Sequence, residues 1–206
     1  MRLLIALFII LLAGSSFALA SPTPLDSSGW SYEVGPGVAA SAQFVSLGDG
    51  ILRLTLTKDF GPAEVIGGES IPPSCLIDFT RTSQNAVNTI VIQSETIQNN
   101  TGLTWNGFSW TVPQTGQASL DQLASSGWIP SPFGTVSWVN APSLVCKATG
   151  GLLPSGQSFS PRADLTIDVD PSANSFTLKE WPQIPEPVTL ALLGVGGLAL
   201  LRRRRG

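Results

Sequence analysis

Short segments in which apolar and polar residues alternate recur along this chain, separated by clusters of glycine, proline, asparagine and serine. A period of two is typical of a β-strand with one buried face, whereas a helix repeats its apolar positions every three or four residues. Seven such segments lie at residues 51–57, 76–81, 89–97, 108–112, 135–139, 165–170 and 176–179. They predict an all-β fold, a single antiparallel β-sandwich of Ig-like or jelly-roll-like form.

Residues 1–20 have the three parts of a secretory signal peptide, in the right order. Arg2 gives a positive start, residues 3–12 form an uninterrupted apolar run, and Ala18 and Ala20 precede a cleavage site at Ser21. The apolar run is shorter than the roughly 20 residues that a permanent membrane span requires. We therefore expect signal peptidase to remove residues 1–20 on export, with a buried N-terminal helix as the alternative.

The C-terminal end combines a Pro-Glu-Pro sequence with an apolar stretch over residues 188–201 and a cluster of arginines. The residues concerned are Pro185, Glu186, Pro187, Arg202, Arg203, Arg204 and Arg205. The apolar stretch predicts a short transmembrane helix, and the arginines favour the cytoplasmic side of the inner membrane. The sequence thus divides into a signal peptide, an exported domain at residues 21–183 and a C-terminal segment at residues 184–206.

These three C-terminal parts together resemble the PEP-CTERM protein-sorting signal of Gram-negative bacteria, over residues 184–206. The resemblance implies that exosortase, a membrane cysteine peptidase, cuts near the Pro-Glu-Pro sequence and releases or transfers the exported domain. The protein would be anchored transiently in the inner membrane and then reach the cell surface or the medium. The resemblance also implies a place in a biofilm or exopolysaccharide system. A simple C-terminal membrane anchor is the alternative.

The amino-acid composition of the chain argues against several classes of function. The chain has no histidine, which excludes a Ser-His-Asp triad and histidine-ligated metal or haem. Within residues 21–184 acidic residues outnumber basic ones thirteen to six, so the domain lacks the basic surface that nucleic acid requires. Glycoside hydrolysis needs only two carboxylates, but the available ones lie in no motif: Glu33, Glu64, Glu69, Glu95 and Glu180. We therefore expect no enzyme activity and rank a hydrolase third.

Two cysteines and two tryptophans are candidates for special roles in the exported domain. Because the compartment outside the inner membrane is oxidising, we expect a disulfide between Cys75 and Cys146, with two free buried thiols as the alternative. Trp105 lies beside an Asn-rich turn, and Trp128 lies in a Gly-Trp-Ile-Pro loop. An exposed indole ring can stack on a sugar, so both are candidate polysaccharide contacts, with burial in the core as the alternative.

Three aspartates, Asp164, Asp168 and Asp170, are all even-numbered and so fall on one face if the predicted strand at residues 165–170 includes the residue before it. They are candidate ligands for a weak Ca²⁺ site, with a solvated strand face as the alternative, and no other cofactor is expected. The Asn-Asn-Thr-Gly sequence at residues 99–102, with the aromatics that follow it, is similar to a turn in exported domains of other PEP-CTERM proteins. That second resemblance implies a sandwich and no activity.

The sequence as a whole predicts an exported, non-enzymatic surface or extracellular-matrix protein with a structural or adhesive role. A carbohydrate-binding module is the alternative. Within the exported domain, residues 21–28 are predicted to be a flexible leader, and residues 181–186, which contain two prolines and are followed by a third, an extended tether.

Overall fold

The computed structural model describes residues 21–114, 116–140 and 144–185. Within these residues the chain forms fifteen β-strands and one short 3₁₀ helix, Asp26–Ser28, and no α-helix. The strands are β1 (Thr23–Pro24), β2 (Trp30–Val34), β3 (Val38–Gly48), β4 (Ile51–Phe60), β5 (Glu64–Ile66), β6 (Glu69–Ile71), β7 (Cys75–Arg81), β8 (Thr89–Asn99), β9 (Trp105–Thr111), β10 (Ala118–Leu120), β11 (Thr135–Asn140), β12 (Leu144–Leu153), β13 (Ser158–Phe159), β14 (Leu165–Val169) and β15 (Ser175–Gln183). The predicted all-β fold is confirmed.

The strands form two large sheets and one small hairpin. The first sheet has seven strands in the order β1-β2-β7-β15-β9-β12-β11, which places β15 at its centre. The second has the order β10-β14-β8-β4-β3, with β13 paired to β8. Within the described part of the chain, strands β5 and β6 pair only with each other. Successive side chains of a strand point to opposite faces of the sheet. On β4 and β15 every second residue is accordingly buried, while the residues between them are half-buried or exposed.

One hydrophobic core lies between the two large sheets. Phe60 on β4 meets Trp105 and Phe108 on β9, with ring centroids 5.3 and 5.5 Å apart. Phe108 also meets Phe159 on β13 at 5.4 Å, again across the sheets. These edge-to-face contacts join strands far apart in sequence and bury large apolar areas. The arrangement is that of two packed layers, as in a sandwich.

One strand pair departs from the predicted antiparallel arrangement. Strands β4 and β8 pair in parallel over their whole lengths, from Ile51 opposite Thr89 to Phe60 opposite Asn99. A parallel neighbour requires the chain to cross over before it returns. Here the crossover passes through β7, which belongs to the opposite sheet. The six-stranded sheet is therefore mixed, and the prediction of a purely antiparallel sandwich is wrong at this pair.

The predicted flexible leader and the first half of the predicted extended tether both belong to the folded domain. Leu25 is buried in the core, and Thr23–Pro24 pairs with β2, so residues 21–28 are not a free leader. At the other end β15 continues to Gln183, beyond the start of the predicted tether. Pro182 fits within this strand because its pairing with β7 has already ended, so its missing N–H faces no partner there.

Candidate functional site

The centre of the core holds three ionisable side chains, Lys58 on β4, Glu95 on β8 and Glu180 on β15. Each lies in phase with apolar inward residues of its own strand. On β4, Lys58 lies between the buried residues Leu56 and Phe60. Strand pleating therefore fixes these three polar groups in the space between the sheets.

The three side chains contact one another directly. Lys58 Nζ donates hydrogen bonds to Glu95 Oε1, on the neighbouring strand of the same sheet, and to Glu180 Oε1, on the opposite sheet. The side chains of all three residues are fully buried. Trp110 Nε1 donates to the second oxygen of Glu95 at 3.0 Å. Among the described residues, Glu180 Oε2 has no hydrogen-bond partner.

Burial sets the protonation behaviour of this cluster. Burial, followed by the adjacent Glu95 carboxylate, raises the pKa of Glu180 to about 8, although Lys58 opposes the change. For Lys58, burial would lower the pKa, but the Glu180 and Glu95 carboxylates more than offset it and raise the pKa above its usual range. The cluster thus holds one cation against two carboxyls, one of which is readily protonated near neutral pH.

Sequence reasoning did not identify Lys58, although the signal was present. The period of two that marks Leu52, Leu54 and Leu56 as inward continues to Lys58, and the period on β15 continues from Leu178 to Glu180. Glu95 is harder to find, because a register shift in β8 changes the phase of the alternation ahead of it. Glu95 and Glu180 are also two of the five glutamates available to a hydrolase. Both are buried and bonded to one lysine, so the pair is not open to a sugar chain.

The predicted disulfide is wrong, because Cys75 and Cys146 are free and buried. Their strands are separated by β15 and β9, and one cross-strand row runs from Cys75 through Glu180 and Trp110 to Cys146. Three strand spacings amount to about 14 Å. A disulfide requires Cα atoms within about 7 Å. Burial raises the pKa of each thiol to about 12, which keeps it protonated and unreactive.

The expected exposure of Trp105 and Trp128 is also wrong, because both rings are buried. Trp105 Nε1 donates to Thr101 Oγ1 at 3.1 Å, beneath the Asn-rich turn. Trp128 meets Trp110 edge-to-face at 5.6 Å. Neither ring offers a face for stacking on a polysaccharide.

The three aspartates do not form a cation site. Asp164 binds Arg53 at 2.8 Å, and Asp170 accepts hydrogen bonds from the backbone and hydroxyl of Ser172 at 2.8 and 2.5 Å. Asp168 is largely exposed, and its partial burial, followed by the charge of Asp121, raises its pKa. Among the described residues no group of three or more carboxylate or thiol side chains is arranged to hold a metal ion.

The two predicted processing signals lie almost entirely outside the described residues. The residues that lie beyond them are Ala18, Ala20, Glu186, Pro187, the stretch at 188–201 that was predicted to be a helix, and Arg202, Arg203, Arg204 and Arg205. Ser21 and Pro185, the nearest described residues, are both exposed at the ends of the domain. In the described part of the chain no helix is long and apolar enough to span a membrane.

Comparison with known proteins identifies one feature. The sequence model of the PEP-CTERM protein-sorting motif matches residues 183–205, which confirms the resemblance seen in the sequence. The chain therefore carries the sorting motif of exosortase substrates, as exported proteins with a transient membrane anchor do. No curated protein and no solved structure matches the chain.

Proposed function

We propose that this chain is an exported, exosortase-sorted component of the cell surface or extracellular matrix, structural or adhesive and non-enzymatic. The observation that carries the proposal is the position of the sorting motif. It begins at residue 183, and β15 ends at Gln183, so the motif follows the domain without an intervening linker. In this proposal residues 184–206 are the sorting signal, and the folded domain is the part of the chain that is exported.

The sequence supports further parts of this proposal, which concern the topology, the processing enzymes and the partner. The domain is a β-sandwich of Ig-like or jelly-roll-like topology that needs no cofactor. Signal peptidase and exosortase process it in a Gram-negative bacterium, and extracellular polysaccharide of a biofilm is its partner. A panel of chromogenic glycosides tests the non-enzymatic part, and hydrolysis of any of them by the purified protein would contradict it.

Exposed apolar side chains on one small hairpin support an adhesive role. Val65 and Ile66 on β5 are 72% and 56% exposed, and Ile71 on β6 is 43% exposed. This hairpin pairs with no other strand among the described residues. Ile66 and Ile71 lie on one face of the hairpin and Val65 on the other, so both faces expose apolar area of the kind that contact surfaces use.

The sorting part is tested in a native host by replacing Arg202–Arg205 with serine. We expect the unchanged chain at the cell surface or in the medium, without its arginines by intact mass. The serine variant should stay uncut and keep the mass of residues 188–206, because the arginines that hold this end on the cytoplasmic side, and so present the motif to exosortase, are lost. Arg162→Ser, an exposed change within the domain, is the matched control. Equal processing of both variants would contradict the proposal.

The adhesive part is tested by sedimentation of the purified protein with matrix polysaccharide from the same host. Val65→Ser combined with Ile66→Ser should weaken binding several-fold, while Leu123→Ser, at a position that is 86% exposed elsewhere, should not. Binding that is unaffected by all three changes would place the contact elsewhere and contradict the role of the hairpin. Binding to one defined oligosaccharide at a single site would favour a carbohydrate-binding module.

A further inference from the structure

The buried cluster of Lys58, Glu95 and Glu180 has no part in the proposed function. It brings a primary amine into contact with a carboxyl group from the opposite sheet, in a place that solvent does not reach. Charged groups in such a place are costly unless they are fully paired or become neutral. Here one amine faces two carboxyls, and an oxygen of Glu180 has no partner among the described residues.

The contacts give the two glutamates different roles. Both oxygens of Glu95 are held, one by Lys58 Nζ and the other by the indole N–H of Trp110. Glu95 is therefore fixed beside the amine, where it can accept a proton from Lys58 Nζ and pass a proton on to Glu180. Glu180 is bound through one oxygen alone, and burial, followed by the adjacent Glu95 carboxylate, raises the pKa of its carboxyl to about 8, so that it is largely protonated at neutral pH. A protonated carboxyl is the form that an amine can attack.

We propose that Lys58 Nζ attacks Cδ of Glu180 and that the two side chains join in an intramolecular isopeptide bond, with Glu95 as the group that moves the protons. The Lys58 ammonium first gives one proton to the Glu95 carboxylate. The neutral amine then bonds to Glu180 Cδ, and the C–O bond to one Glu180 oxygen breaks. Glu95 relays protons to that oxygen, which leaves as water. The products are an amide, a protonated Glu95 carboxyl and one water molecule, and no oxidant or activated group is needed.

The position of the groups explains why the reaction would proceed without activation. Holding two reacting groups in contact is equivalent to an effective concentration of about 10⁵–10⁸ M. The surrounding core, which includes Trp110 and Phe60, excludes the water that would hydrolyse the amide. The ion pair would be replaced by a neutral amide, which removes the cost of burying the charges.

The bond would close a large covalent loop. Lys58 and Glu180 are 122 residues apart and lie on β4 and β15, one in each large sheet. Such a link would join the two layers where a disulfide does not, because the two cysteines lie in the same sheet. The chain would remain cyclised after complete unfolding.

The test is a tryptic map of the full chain, purified in folded form and then denatured and digested. An acylated Lys58 is not cut by trypsin. We therefore expect the peptide at residues 54–81 to be found joined to the peptide that begins at Glu180, lighter than their sum by one water. The fragment spectrum should place the link at Lys58 and Glu180. The same chain should run faster than its unlinked variants on a denaturing gel.

Three variants and two controls assign the roles. Lys58→Met and Glu180→Met should abolish the linked peptide, and Glu95→Gln should reduce it at least tenfold in protein that is folded by circular dichroism. Lys147→Met and Glu64→Gln, changes outside the cluster, should leave it intact. Because the map of the unchanged chain is read directly, a variant that fails to fold does not affect the main result.

Two outcomes would overturn the inference. Cleavage after Lys58 and the full unlinked mass in folded, unchanged protein would exclude the bond. A link formed as completely in Glu95→Gln as in the unchanged chain would exclude the role of Glu95. Neither outcome bears on the sorting proposal, which is read from the location of the protein.

Discussion

Asn99 shows how a single buried polar residue organises a turn. Its side-chain N–H groups donate to the carbonyls of Leu103 and Leu153 at 2.9 and 3.0 Å. Its oxygen accepts from the backbone N–H and the hydroxyl of Thr101 at 3.1 and 2.7 Å. The side chain thus makes four hydrogen bonds and ties the Asn-Asn-Thr-Gly turn to the end of β12.

We predict that Asn99→Ala costs about 2–4 kcal/mol of unfolding free energy, because it removes all four hydrogen bonds of a buried side chain. Asn100→Ala is the matched control. Asn100 is exposed and donates to Asp59 at 2.8 Å, so its loss should change stability by less than about 0.5 kcal/mol. Urea unfolding measures both, and equal midpoints for the two variants would contradict the role of Asn99.

The thiols of Cys75 and Cys146 should be inert in the folded protein. Both are buried, and burial raises the pKa of each to about 12, so almost no thiolate is present at neutral pH. We predict that iodoacetamide leaves the native chain unmodified and adds two groups after unfolding, with no reductant needed. An unreduced chain two hydrogens lighter than its thiol form, refractory to alkylation after unfolding, would contradict the free thiols.

At the scale of strands, the close approach of two backbone segments leaves no room for a side chain at one glycine. Gly151 lies in β12 near a register shift between Thr149 and Leu153. A Cβ there would lie 2.2 Å from the carbonyl oxygen of Pro132, which is backbone and cannot swing away. Gly61, after β4, has nothing within 4 Å of the same point.

We predict that Gly151→Ala destabilises the fold by about 1–3 kcal/mol through overpacking. Gly61→Ala should change stability by less than about 0.5 kcal/mol. Thermal unfolding followed by far-UV circular dichroism compares the two. A midpoint for Gly151→Ala at or above that of Gly61→Ala would show that β12 can move away, against this expectation.

The sequence predicts the half-buried strands well and the others poorly. Alternation locates β4, β7 and β14 within a few residues, since each has one face in the core. It misses β3, an edge strand whose second half is exposed on both faces, so no alternation is selected there. It also misses β12, where Gly150 and Gly151 interrupt the pattern.

The site was predictable in part, for reasons of the same kind. The sorting motif is local and contiguous, so its residues can be read directly from the sequence. The Lys58 cluster depends on the pairing of distant strands and on which sheet each joins, information that local patterns do not contain. The disulfide was wrong for a related reason, because oxidising conditions allow a bond but the register of four strands decides whether two cysteines meet.

For the molecule as a whole, the shared core implies one cooperative unit. Four tryptophans are buried in the core, and they come from different parts of the chain: Trp30, Trp105, Trp110 and Trp128. Trp30 meets Phe176 at 5.6 Å, so the strand pairs at the edge of the first sheet are packed into the same core.

We predict that tryptophan fluorescence and far-UV circular dichroism report the same unfolding midpoint in urea, as two-state unfolding requires. The unchanged protein and Lys58→Met, which cannot form the proposed isopeptide bond, are measured separately, so that each transition comes from one covalent form of the chain. Two separated midpoints in either protein would show that the sheets unfold independently.

The central place of β15 has a mechanical consequence. The strand pairs antiparallel with β7 on one side and β9 on the other, and the chain leaves it toward the sorting motif. Hydrogen bonds in such pairs run perpendicular to the strands. A pull on the C-terminal end would therefore act in shear on the rungs of both ladders at once. A tether on an edge strand pulled sideways would instead open them one after another, at a much lower force.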